Sequence, residues 1–215
     1  LHSFPTRRSS DLAARHYGCR VTTTTISENQ FSYAQRRVQE AGLADRITVL
    51  SKDYRDLQGQ FDKLVSVEMI EAVGHRFVDH YFRICSERLK PAGRMLLQSI
   101  TIADRYHEQA THAVDFIQKY IFPGGALPSM TSISSAVSRM TNLQLTHMHD
   151  IGIDYARTLH IWRERFLQRL SEVRSLGYPD EFIRMWEWYL LYCEAGFLER
   201  AISTVQLVFD KPDCR

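Results

Sequence analysis

The sequence has no Gly-x-Gly, no Cys-x-x-Cys, and no apolar run approaching a membrane span. A bilayer-crossing helix needs roughly 18 consecutive apolar residues, so none is written here. Without a Gly-x-Gly, the tight turn that lets backbone approach a nucleotide-type cofactor closely is missing. The four cysteines, Cys19, Cys85, Cys193 and Cys214, are scattered. They offer no metal-ligand spacing and fit a reducing compartment with buried or incidental thiols, so no metal site is expected. Charge of one sign is also lacking. Lys and Arg total 27 against 25 Asp and Glu, a net of +2, and this gives no global electrostatic case for nucleic acid. The opening "LHSFPTRRSSDL" carries arginines but no apolar core, so it is not a signal peptide. It lacks an initiator Met, shares no period with the rest of the chain, and resembles translated sequencing-adapter sequence. Residues 1–12 are therefore expected to be foreign to the native protein.

What is present is ordinary in bulk and ordered in pattern. Hydrophobic residues make up 44% and charged residues 24% of 215 positions, as in a soluble globular protein with room for a sizeable core. "LAARHYG" reads as a helix end stopped by Gly18, and the β-branched "CRVTTTT" as a strand. Ser27 caps a helix over "ENQFSYAQRRVQEAG", and "RITVLSKD" comes next as a strand. "QFDKLVSV" reads as a strand covered on both faces. "RFVDHYFRICSERLKPAG" reads as a helix ended by Pro91 and Gly93, and "RMLLQSITI" as a further strand. This alternation predicts an α/β fold, an open parallel sheet with helices on both faces.

The second half changes character. "THAVDFIQKYIFPGGALPS" predicts a helix broken at Pro123-Gly124-Gly125. "SISSAVSRM" predicts a short helix and "LQLTHMHDIG" a strand. Two long helices carry aromatic stripes, one through Tyr155 and Trp162, the other through Phe182, Trp186, Tyr189 and Phe197. "ISTVQLVFD" closes as a strand. No repeat or linker is visible, so one domain spanning 13–215 is expected, with an inserted helical cap over about 106–200.

Ligands of open α/β sheets bind beyond the carboxyl ends of the strands. The residues just past each predicted strand are Thr25 to Ser27, Lys52 to Tyr54, Glu68 to Glu71, and Gln98 to Ile100. Hydroxyls at a helix N-terminus suit a ribose or a carboxylate, and an Asp followed by an aromatic suits an adenine. Singly each has a plain structural explanation: Ser27 as an N-cap, Asp53 as a turn residue, and Glu68 and Glu71 as helix-start acids. Four polar strand ends on one sheet edge point to a site.

The stretches "VTTTTISENQ", "DYRDLQGQFDKLVSVEMIEAVG", "LKPAGRMLLQSI", "KYIFPGGALPS" and "DYARTLHIWRERF" occur in order. Together they resemble the cyclopropane-fatty-acyl-phospholipid synthase family, which includes the mycolic acid cyclopropane synthases. The resemblance runs from about Ala13 to the C-terminus. It implies a Rossmann-like class I methyltransferase fold and S-adenosylmethionine-dependent methylation of the double bond of an unsaturated phospholipid acyl chain. By position it implies cofactor contacts from Thr25, Ile26, Ser27, Glu28, Asn29 and Gln30, an adenine pair of Asp53 and Tyr54, and Glu68 at the cofactor pocket. It also implies that Glu71, Gln98, the backbone of Ile100, and Tyr155 hold a bicarbonate ion that acts as base. Aromatic residues of the cap, Trp162, Tyr189, Tyr192 and Phe197, would face a carbocation, although most such stripes are core. Implied too are a cytoplasmic location and contact with the inner face of the membrane through Arg157, Arg163, Arg165 and Arg169; a homodimer is left open.

Two departures from the family pattern stand out. Gln98 occupies a position where the family usually has His, and an amide cannot change charge. A methyl-branched product is therefore expected rather than ring closure. The family's first strand and glycine turn would precede the helix ending at Tyr17, and its N-terminal helices and active-site Cys have no counterpart here. That strand would be central, so its absence is expected to expose two strand edges, weaken cofactor binding and promote association. A small-molecule methyltransferase and an inactive binding relic are the competing readings.

Overall fold

A computed structural model of the chain describes residues 8–215, with side chains from residue 10. Residues 1–7 of the segment expected to be foreign lie outside the described residues. Its remainder, 8–12, opens helix α1. The chain divides into two compact units, one ending at Gln60 and the other spanning Phe61–Arg215.

The first unit contains α1 (Arg8–Tyr17), β1 (Val21–Thr25), α2 (Glu28–Glu40) and β2 (Ile47–Ser51). Gly18 ends α1 at φ +66°, a conformation that a side chain would strain. The β-branched run of β1 pairs in parallel with β2, Val21 opposite Ile47 through Thr25 opposite Ser51. Ala14, Val38, Leu43 and Ile47 form the buried core, with Val21, Ala41 and Val49 packed against it. The Arg37 guanidinium donates to Asp11 at 3.3 Å and ties α2 to α1.

The second unit holds a four-stranded sheet of order β3-β4-β6-β5. Its strands are β3 (Phe61–Val67), β4 (Leu89–Ile102), β5 (Gln144–Asp150) and β6 (Ile202–Asp210). Its helices are α3 (Val78–Glu87), α4 (Asp104–His112), α5 (Met130–Met140), α6 (Gly152–Gln168), α7 (Leu170–Ser175) and α8 (Asp180–Leu198). Strand β4 alternates strictly. Met95, Leu97, Ser99 and Thr101 are buried on one face, and Phe209, opposite Met95, meets Phe82 of α3 at 6.1 Å between ring centroids. The other face carries Gln98 and Ile100. There Ile100 and Ile202 pack on the Ala156, Leu159, Leu190 and Phe197 cluster of α6 and α8. Period-two alternation thus turns Gln98 toward the long helices.

Several expectations need correction. The strands form two sheets rather than one, and β6 runs antiparallel to both β4 and β5. Among the described residues β1 and β3 each pair along one edge only. Strand β3 is also not covered on both faces: its Val65 is 62% exposed. The helix predicted to run to Pro91 stops at Glu87, and Leu89 already pairs with Phe61. Pro91, which has no N–H to give, falls in the irregularity between the Leu89–Phe61 and Arg94–Lys63 pairs, where no ladder bond is asked of it. The helix predicted from Thr111 is instead α4, which ends at His112, followed by a π-helical turn at Ile117–Ile121. Within the span 106–200, β5 is a strand of the sheet rather than part of a helical cap.

Candidate active site

Past the ends of β1 and β2 lies the first cluster. Ser27 caps α2 and accepts from the Gln30 N–H at 3.4 Å, satisfying a donor the helix leaves open. The Thr25 hydroxyl donates to Gln30 Oε1 at 2.9 Å and accepts from the Ser27 N–H at 3.1 Å. Thr24 binds the carbonyl of Lys52, tying the two strand ends together. Asp53 takes Arg55 through both carboxylate oxygens at 2.8 Å, which holds its pKa below the ordinary carboxylate value. Tyr54 comes next, on a short turn, Tyr54–Asp56. Between these polar groups Ile26 is 79% exposed, an apolar surface that nothing in this unit covers. Glu28 and Asn29 occupy the first turn of α2. The structure thus gathers Thr25 to Gln30, Asp53 and Tyr54 at one end of a parallel strand pair, whereas Glu68, also expected at the cofactor, follows β3 in the second unit.

The second cluster is half-buried and assembled from four elements. Glu68 follows β3 at φ +51°, a left-handed conformation that non-glycine residues enter at a cost. Its Oε1 accepts from the Gln98 amide at 2.8 Å and its Oε2 from the Tyr155 hydroxyl at 3.2 Å. Glu71, on the turn Ile70–Ala72, accepts from the Ile100 N–H at 2.5 Å and from the Ser99 hydroxyl at 3.0 Å, both at Oε1. Glu71 Oε2 is buried with no hydrogen-bond partner. Burial raises the Glu71 pKa to about 7, outweighing its own backbone, Ile100 and Ser99, which pull the other way. Burial and the nearby Glu68 also push the Tyr155 phenol up. Tyr155 stacks on Phe197 at 4.8 Å, and Tyr189 meets Phe122 edge-on at 5.9 Å.

Glu68, Glu71, Gln98 and the Ile100 N–H, expected at strand ends, and Tyr155, expected on a long helix, stand in two hydrogen-bond sets that neighbour each other along β4. Tyr189 and Phe197 line the adjoining apolar cluster. Trp162 and Tyr192 do not; both are exposed. The arginine stripe of α6 is partly spent. Arg163 lies 4.0 Å from Glu187 and 3.9 Å from Glu194, and Arg157 lies 3.2 Å from Asp154.

Three residues of this cluster are not evident from sequence. Ser99 lies between Gln98 and Ile100, and nothing in that setting marks a role for its hydroxyl. Ala126 donates its N–H to the Glu71 carbonyl at 2.8 Å, so the Pro-Gly-Gly turn braces that segment. Gln206, a lone amide in an apolar strand, donates to Gln98 Oε1 at 2.9 Å. Its isolation is the one available signal.

The α/β fold, with polar residues past its strand ends, is that of class I methyltransferases. The family model for mycolic acid cyclopropane synthetase matches residues 9–207. Tuberculostearic acid methyltransferase UfaA1 of Mycobacterium tuberculosis is 42% identical over 88% of this chain and 44% of its own length. The cyclopropane-fatty-acyl-phospholipid synthase of Escherichia coli K12 is 40% identical over 92% of this chain and 49% of its own length. The structure of mycolic acid cyclopropane synthase CmaA1 complexed with SAH and CTAB superposes with TM-score 0.85 at 26% identity, covering 94% of this chain and 73% of that one. The chain belongs to the mycolic acid cyclopropane synthetase family and has its Rossmann-like fold. It spans about half the length of the curated relatives it matches.

Proposed function

We propose that the protein transfers a methyl group from S-adenosylmethionine to the double bond of an unsaturated fatty acyl chain of a phospholipid. The observation that carries this reading is the half-buried pair Glu68 and Glu71, held by Gln98, Ile100, Ser99 and Tyr155 beside an aromatic wall. S-adenosylmethionine supplies an electrophilic methyl group on a sulfonium. Thr25, Ile26, Ser27, Glu28, Asn29 and Gln30 are assigned to its methionine and ribose parts, and Asp53 and Tyr54 to its adenine. Hydroxyl, amide and carboxylate groups around the exposed Ile26 fit a ligand that is polar at its rim and flat at its centre.

Attack by an alkene on that methyl leaves a carbocation, which water would trap. Tyr155, Tyr189 and Phe197 exclude water there and present ring faces that favour positive charge. Loss of a proton then completes the product. The orphaned Glu71 Oε2 calls for a donor, and the hydroxyl of a bicarbonate ion is one. Once the Ile100 N–H turned from Glu71 and the Tyr155 hydroxyl from Glu68, Glu71, Gln98, the Ile100 N–H and Tyr155 would hold that ion, which supplies a proton acceptor. Gln98 cannot carry the proton itself, and this favours proton loss to a methylene-branched chain over ring closure to a cyclopropane; a saturated methyl branch would further need a hydride donor.

A lipid substrate also brings a bilayer. No helix among the described residues is long and apolar enough to cross one. Exposed Trp162, Trp188 and Tyr192, with Arg165 and Arg169, are assigned to peripheral contact with the inner face of the cytoplasmic membrane. The test is methyl transfer by the full-length protein from methyl-labelled S-adenosylmethionine to vesicles of a monounsaturated phospholipid, with the acyl products separated by mass. A branched product is expected, and a Gln98→His variant is expected to shift it toward cyclopropane. Identical products would remove Gln98 as the determinant. Transfer to a small acceptor but not to the vesicles would favour the small-molecule reading.

A further inference from the structure

The Gln98 amide has only one orientation that its neighbours accept. A carboxylate can only accept, so Gln98 must turn Nε2 toward Glu68 Oε1, at 2.8 Å. That leaves Gln98 Oε1 facing the opposite way, where Gln206 Nε2 donates to it at 2.9 Å. Gln206 stands directly across from Gln98 in the antiparallel register of β4 and β6, on the same face. Both side chains are half-buried. Gln98 therefore spends its acceptor on Gln206 and its donor on Glu68, and Glu68 in turn takes the Tyr155 hydroxyl at 3.2 Å. The order runs one way: Gln206 to Gln98, with Glu68 receiving both Gln98 and Tyr155. If Gln206 loses its N–H, Gln98 Oε1 loses its partner, and the amide, still turned by Glu68, is held by that one bond and can swing about it.

We propose that Gln206 is a positioning residue that fixes the Gln98 amide as a donor to Glu68, so that residues 98 and 206 act as a pair in the site. The role in turnover rests on the methyl-transfer reading above; the placement of the amide does not. The consequence for that reaction is specific. A His at position 98 would meet the same Gln206 donor, which holds its near ring nitrogen as an acceptor and its far one as the donor to Glu68. Product choice would thus depend on both positions.

The test uses Gln206→Met, which has similar size and no donor, and Gln206→Glu, which donates to Gln98 Oε1 only while its new carboxyl is protonated. In the full-length protein Gln206→Met is expected to lower kcat about tenfold, or about 1.4 kcal/mol, at all pH values, with the KM for S-adenosylmethionine changed less than about twofold. Gln206→Glu is expected to keep most activity near pH 5.5 and to lose about tenfold by pH 8, measured as a ratio to wild type. Glu68 and Glu71 after β3, Tyr155 on α6, and Tyr189 and Cys193 on α8 face this network in every variant, so the ratio isolates the new carboxyl. A structural role alone would not make kcat follow that titration.

Side-chain amide hydrogen exchange of Gln98 gives a second readout, independent of turnover. The Gln98 N–H protons should exchange about tenfold faster in Gln206→Met than in wild type. Thermal melts identify a variant that fails to fold, and the Gln206→Glu protein at low pH then stands in for it. Unchanged exchange, or variants that match wild type in kcat at every pH, would overturn the pairing. If wild type moves no methyl group to lipid, the proposed function falls, and the exchange rates alone decide the placement of Gln206.

Discussion

The two polar clusters of this protein are built on opposite plans. In the first unit most of the bonds are local: Ser27 to Thr25, Thr25 to Gln30 and Arg55 to Asp53 join residues two to five apart, and only Thr24 to Lys52 crosses between the strands, over 28 positions. In the second unit Ser99 reaches Glu71 across 28 positions, Gln98 reaches Glu68 across 30, Tyr155 reaches Glu68 across 87, and Gln206 reaches Gln98 across 108. A local cluster forms wherever its short stretch of chain takes up its strand-to-helix turn. A non-local one exists only when the whole sheet and α6 have closed, and its buried carboxylates are tolerable only with their donors in place. The first cluster should therefore be separable from stability, and the second should not.

Glu71 gives the largest test of that difference. Glu71→Gln is expected to reduce methyl transfer about 10²- to 10³-fold, the usual loss when a buried charged group in such a site is removed. Its effect on stability has the opposite sign above neutrality. Burial raises the folded pKa of Glu71 to about 7 from 4.5. A raised pKa means a contribution to stability that is fully present below 4.5 and lost as pH rises through about 7. Wild type should therefore lose on the order of 3 kcal/mol, relative to Glu71→Gln, between about pH 4.5 and pH 8. Urea unfolding of both proteins across that range checks it. Parallel curves would mean that Glu71 does not carry a buried charge, and the contrast between the clusters would collapse.

The same contrast explains what the sequence makes legible. Ser27 as an N-cap, Gly18 and Gly42 as helix stops, and the β1 and β2 strands are readable, because capping, left-handed turns and β-branched runs are local physics. The strand ends that hold Glu68, Glu71 and Gln98 are also readable, since strand exits are marked by polarity after apolar runs. The partners of those residues are not. That Ser99 binds Glu71, or that Gln206 lies opposite Gln98, depends on the β4–β6 register, and no local signal sets that. The aromatic stripes mislead for a related reason. Periodicity places Trp162 and Tyr192 on helices, but which face turns inward depends on how α6 packs against α8. Leu159, Leu190 and Phe197 take the interior, leaving both of those rings exposed.

Tyr155 sharpens the comparison at intermediate size. Tyr155→Phe keeps the ring that stacks on Phe197 and removes the hydroxyl given to Glu68. Glu68 then keeps the Gln98 donor but loses one of two bonds, which should cost about 1–3 kcal/mol in urea unfolding. Methyl transfer should fall about tenfold or more. The phenylalanine should also leave the melting behaviour of the apolar cluster cooperative, because the packing is unchanged. A stability loss below about 0.5 kcal/mol would place Glu68 in contact with water instead of in a closed network.

Asp53 is the smallest effect and the sharpest separation. Its carboxylate is engaged by Arg55 through the backbone N–H, Nε and Nη2, all within one turn of chain. The ion pair is half open to solvent on the arginine side, so it adds little to folding. Arg55 lowers the Asp53 pKa, so what it adds is present above the ordinary carboxylate value and lost as pH falls through the depressed one. Asp53→Asn keeps an oxygen for the Arg55 N–H and loses the charge. It should change unfolding free energy by less than about 1 kcal/mol. Calorimetric titration of S-adenosylmethionine into the full-length variant should nevertheless show affinity about tenfold weaker, the cost of one charge-assisted hydrogen bond. A large stability loss with unchanged affinity would reverse the assignment, making Asp53 a structural anchor for the turn at Tyr54. In that case the first cluster would owe its order to folding rather than to a ligand.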